Sequence, residues 1–83
     1  MDTQVKGRGE LLVESERGPC AYRLTFWADD PLRGDGWLND GEELLTTAAK
    51  VGRAELTLAD GRRVITQVLG VVDGVARVSF EPT

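Results

Sequence analysis

The chain has 83 residues, 41% of them hydrophobic and 29% charged, with 10 glycines and a formal charge of −4. A chain this short hides roughly 60–65% of the surface its unfolded form exposes, enough for one modest core. Any ligand is therefore expected on a face, in a shallow groove or between subunits rather than in a closed cavity.

Residue types narrow the chemistry further. There is no histidine, which removes the Ser-His and Cys-His nucleophile pairs, the usual zinc sites and the commonest general base. The single cysteine, Cys20, forms no internal disulfide and has no neighbouring group in sequence to activate its thiol, so it reads as a small apolar strand residue. Acids gather between Asp29 and Glu43, where Asp29, Asp30, Asp35, Asp40, Glu42 and Glu43 face Arg33 alone. Arginines and lysines are spread thinly elsewhere, so nucleic acid is not the expected partner. The first residues lack the apolar run of a signal peptide, and no stretch is apolar for long enough to span a membrane. A cytoplasmic protein without membrane partners is the expectation.

In chain order, Val5 to Glu14 alternates with period two, placing Val5, Gly7, Gly9, Leu11 and Val13 on one side. Gly7 and Gly9 on the apolar side permit a sharp bend or a close backbone approach. Residues 15–19, with Gly18-Pro19, read as a turn. Cys20 to Ala28 alternates again, with Tyr22, Leu24 and Phe26 opposite Arg23, Thr25 and Trp27, which predicts a first hairpin. Residues 29–36 read as the longest loop, and residues 36–38 as a short strand after it.

Asn39-Asp40-Gly41-Glu42 has the spacing of a capping box and predicts a helix start. The helix would lay Leu44, Leu45, Ala48, Ala49 and Val51 inward and stop at Gly52. From Gly52 to Pro82, the Asp60-Gly61 and Asp73-Gly74 pairs punctuate three apolar runs and predict a meander. Three-residue loops at 59–61 and 72–74 pair Leu56 with Val64 and Val68 with Val78, gathering Ala54, Leu56, Leu58, Val64, Val68, Val78 and Phe80 on the core face. The other face then carries an apolar strip of Ile65, Leu69, Val71 and Val75. Either another part of the chain covers that strip or a second copy does, as in a homodimer.

The fold class expected is mainly β, at the border of α+β: a small curved antiparallel sheet or five- to six-stranded barrel with one short helix, about residues 41–50, inserted before the C-terminal meander. The whole chain, 1–83, reads as a single domain.

No catalytic residue, cofactor or metal set emerges. The acidic loop fails the calcium-loop spacing, since the third position is Trp37 counted from Asp35 and Pro31 counted from Asp29. The candidate ligand or partner site is aromatic and basic: Trp27 and Trp37 flanking one groove with Arg23 and Arg33, suited to a planar ligand, a sugar or a peptide side chain. A non-enzymatic binding or assembly module for an unknown protein, peptide or small ligand is the leading expectation. The alternatives are a small enzyme or metal-binding protein using residues 29–40, and a single-stranded nucleic-acid binder using the outer sheet face with Arg63 and Arg77.

Overall fold

The computed structural model describes residues 2–30 and 33–80, without the side chain of Glu42. Its elements are β1 (Thr3–Val13), β2 (Glu16–Phe26), β3 (Gly34–Asn39), α1 (Glu42–Val51), β4 (Arg53–Thr57), β5 (Arg63–Val72) and β6 (Val75–Phe80). The strands close into an antiparallel barrel in the order β1-β2-β3-β6-β5-β4. Two meanders, β1-β2-β3 and β4-β5-β6, are thus zipped together along β3–β6 and β1–β4. The expected fold class holds, with six strands and the helix between the meanders.

Alternation fills the interior. Leu11 and Val13 from β1, Tyr22, Leu24 and Phe26 from β2, Leu38 from β3, Ala54 and Leu56 from β4, and Ala76, Val78 and Phe80 from β6 are buried together. Phe26 and Phe80 meet edge to face, with ring centroids 5.0 Å apart. The helix adds Leu45 and Ala48, both fully buried, and touches all six strands, as an end plug must. Gly52 ends it in the left-handed region at φ 94°, where its N–H donates to the Ala48 carbonyl, and the Gly52 carbonyl accepts from the Val68 N–H at 3.0 Å. Among the described residues no helix is long and apolar enough to cross a membrane.

The glycines of β1 serve close approach, the second of the two expected uses. A side chain at Gly9 would overlap the Thr57 carbonyl oxygen, where β1 and β4 approach each other. The Tyr22 ring fills the space left at Gly7 and Gly9, and its hydroxyl accepts from the Ala59 N–H at 3.0 Å.

Several local expectations are corrected. The first turn is Glu14-Ser15, with Glu14 at φ 55°, not residues 15–19. Gly18-Pro19 instead lies within β2, in the section that has only β1 beside it, where a missing N–H is tolerated. The acidic loop is shorter than expected, because β3 begins at Gly34. A side chain at Gly34 would overlap the Thr25 carbonyl, and one at Gly36 the Arg23 carbonyl, so both glycines serve close strand packing. The capping box does not form, since Asn39 closes β3 opposite Ala21 and Gly41 takes the N-cap position. Val51, expected inward, is 40% exposed.

In the C-terminal meander, Leu56 faces Val64 and Ala54 faces Thr66 as expected. Asp60 fixes that loop, accepting from the Arg62 N–H at 3.0 Å and from the Arg62 Nε at 2.7 Å. The β5–β6 hairpin reaches the expected pairs Val68–Val78 and Thr66–Phe80 by a different route. Its loop has two residues, Asp73 at φ 53° and Gly74 at φ 76°, the backbone of a type I′ turn. The odd residue is absorbed by a bulge between Val68 and Gly70. That bulge turns Val71 inward against the core, opposite Ala76, and puts Val72 outward instead.

Candidate functional site

Once the first turn is two residues long, strand register aligns an outer row across the barrel. Lys6 of β1 faces Arg23 of β2, Arg23 faces Trp37 of β3, and Trp37 faces Arg77 of β6. Trp37 is 50% exposed, and the Arg77 guanidinium lies 5.7 Å from its ring centroid, a cation–π contact. Beside this row run Arg8, Ala21 and Asn39, in the first three of its four strands.

Ala21 is short while its neighbours are long, so the wall dips. The result is a groove of about 590 Å³ lined by Lys6, Arg8, Ala21, Arg23, Trp37 and Asn39, together with the Gly7 and Tyr22 backbone positions beneath. On the other side of Arg23 and Trp37 lies a smaller depression of about 90 Å³, lined by Gln4, Thr25, Asp35 and Arg77 among others. Arg23 and Trp37 therefore form a ridge shared by both.

Among the described residues Lys6, Arg23 and Arg77 have no carboxylate within ion-pair distance, whereas Arg8 contacts Asp40 at 3.1 Å. With Asp35 as the acid nearest Trp37 along β3, the face carries net positive charge on a chain of charge −4. An open groove with one aromatic ring and two cations, Lys6 and Arg23, outside ion-pair distance of any described carboxylate can hold a flat, negatively charged group by stacking and charge.

Of the residues expected to share a groove, Arg23 and Trp37 do so; Trp27 and Arg33 do not. Trp27 follows the end of β2, 41% exposed, and its backbone N–H donates to the Arg33 carbonyl at 3.0 Å. The Thr25–Asp35 pair separates it from Trp37, a span of roughly 13 Å along the strand. The Arg33 guanidinium turns to Asp30 at 3.2 Å. Lys6, Arg8, Ala21 and Arg77 complete the site, and the first three are legible only with the right hairpin register.

The acids of residues 29–40 do not converge. Asp30 binds Arg33, Asp40 binds Arg8, and Asp35 lies outward on β3. Among the described residues no three of Cys, Asp and Glu are grouped to hold a metal. Cys20 is fully buried, and desolvation pushes its thiol up to about 11 despite the opposing effect of Arg8, the opposite of an activated nucleophile. On the outer side of β5, Leu69 is 60% and Val72 73% exposed, while Ile65 of β5 and Val75 of β6 are half-buried.

No family model, no curated protein and no solved structure matches this chain.

Proposed function

We propose that the protein is a non-enzymatic binding module whose ligand lies on the outer wall of β1, β2 and β3, stacked on Trp37 and held by Lys6 and Arg23. The observation that carries this is the Ala21-floored groove, which brings a half-exposed tryptophan beside Lys6 and Arg23, neither with a carboxylate partner among the described residues. Exposed aromatic and arginine side chains around a depression are the residue types that dominate binding energy in recognition sites. The ligand this arrangement suits is both planar and anionic, since a neutral sugar leaves the cations unanswered and a bare anion leaves Trp37 unused.

Equilibrium binding of pyrenesulfonate, a flat aromatic monoanion, tests this. The expected result is saturable binding that weakens at least several-fold in both Trp37→Ala and Arg23→Ala. Binding unchanged by either substitution, or none at all, contradicts it.

A second reading has its own observation. The bulge leaves Leu69 and Val72 exposed on one side of β5, and self-association there gives a homodimer. Sedimentation velocity decides it: a dimer that dissociates in Leu69→Asp supports the reading, and a monomer at every concentration ends it.

A further inference from the structure

We infer that the ligand of the Trp37 face is a short stretch of single-stranded nucleic acid laid across the strands from β1 towards β6. This rests on the face being a binding site, and it adds the chemical class and the path of the ligand.

The order of side chains carries the inference. Across the wall the row runs Lys6, Arg23, Trp37, Arg77: cations, then an aromatic ring, then a cation. A single strand offers the matching order of phosphate, base, phosphate. Arg23 and Arg77 are two interstrand spacings apart at the backbone, about 10 Å, and long side chains close much of that gap. Base stacking on an exposed aromatic with a basic track beside it is how single strands are held without sequence readout.

The shape agrees. Depressions lie on both sides of the Arg23–Trp37 ridge, the larger over Ala21 and the smaller beside Thr25 and Asp35. A strand that follows the row has a depression on each flank to receive its bases and sugars, whereas a ligand of one planar unit occupies only one of them. Acidic peptides lack a ring in every unit, and anionic glycans lack the flat π-face that stacks on indole.

Whole-chain charge does not decide against this. Most acids sit at turns, at the helix start and at the barrel ends, as Glu14, Asp29, Glu43, Asp60 and Asp73 do, away from the ridge. Two acids come near the face: Asp40 is neutralised by Arg8 at 3.1 Å at the edge of the larger groove, and Asp35 lines the smaller depression with Arg77. Asp35 repels a phosphate there, which yields a test that misfolding cannot imitate.

Fluorescence anisotropy of labelled ten-nucleotide oligothymidylate with the full chain provides the measurement. Three phosphate contacts, through Lys6, Arg23 and Arg77, give a log–log salt slope of about −2. Trp37→Ala weakens binding roughly 5- to 150-fold, Arg77→Ala makes the slope shallower by about 0.7, and Asp35→Asn tightens binding. Equal affinity for a duplex of the same length, or tighter Trp37-dependent binding of polyglutamate or heparin, overturns the inference. If the oligonucleotide fails to bind while pyrenesulfonate binds through Trp37, the nucleic-acid assignment falls and the binding face stands. If neither binds, both fall.

Discussion

Single residues decide how tightly this small barrel closes, and the glycines show it most sharply. At Gly9 an added methyl group meets the Thr57 carbonyl, a backbone atom held in the β1–β4 ladder, so Gly9→Ala should cost about 1–3 kcal/mol. Gly70, in the β5 bulge, has nothing within 4 Å of where a Cβ would stand; Gly70→Ala should be neutral or stabilising by up to about 1 kcal/mol. Urea denaturation of the two variants checks the contrast, and equal effects would contradict it. Cys20 supplies a pH test. Its thiol is pushed from 9.0 to about 11 in the folded chain, chiefly by desolvation, so with rising pH the unfolded chain loses its proton first. Its contribution is fully present below pH 9 and is lost as pH rises towards about 11. Cys20→Ala should flatten that part of the stability profile, measured by denaturant midpoints across alkaline pH, and native Cys20 should react slowly with thiol reagents at pH 8, well below its raised pKa.

At the level of elements, alternation and Asp-Gly turns make the C-terminal meander legible in the sequence. Demanding that Leu56 and Val64 share a face was enough to choose the first loop. The second hairpin shows the limit of that method. A three-residue loop and a type I′ turn with a distant bulge give the same pairing at Val68–Val78, and alternation cannot tell where the extra residue sits. Alternation alone therefore puts Val71 on the outer strip, where the bulge puts Val72. The first hairpin was a different failure, because the information was present. A turn at 15–19 sets Leu11 opposite Arg23, mixing faces, whereas Glu14-Ser15 sets Lys6 opposite Arg23 and Gly7 opposite Tyr22. Gly18-Pro19 outweighed that parity, although proline is tolerated where a strand lacks a second neighbour. The type I′ assignment predicts that Gly74→Val, forcing a β-branched residue to φ 76°, costs about 1–2 kcal/mol, while Asp73→Asn is near neutral. Thermal melts of both check it, and a well-tolerated valine would exclude this turn.

The molecule as a whole separates its tasks by location. The interior is apolar but for Thr66, whose hydroxyl donates to the Ala54 carbonyl at 2.8 Å; one end is plugged by α1, most acids lie at turns and ends, and one flank of the wall carries Trp37 among cations. Sequence alone named Arg23 and Trp37 but tied them to Trp27 and Arg33, because nearness along the chain stood in for nearness in space. Barrel closure brings in Arg77 from β6, a pairing that joins residues of the two meanders and has no local signal. The central claim is that the Trp37 wall, and not the Trp27 end, is where a ligand rests. The indole N–H resonances of the two tryptophans in a proton–nitrogen correlation spectrum report this separately during titration with pyrenesulfonate. The Trp37 indole, with the backbone amides of Ala21 and Arg23, should shift to saturation while the Trp27 indole stays in place. Movement of the Trp27 indole with Trp37 unmoved, or no movement of either, would contradict the claim.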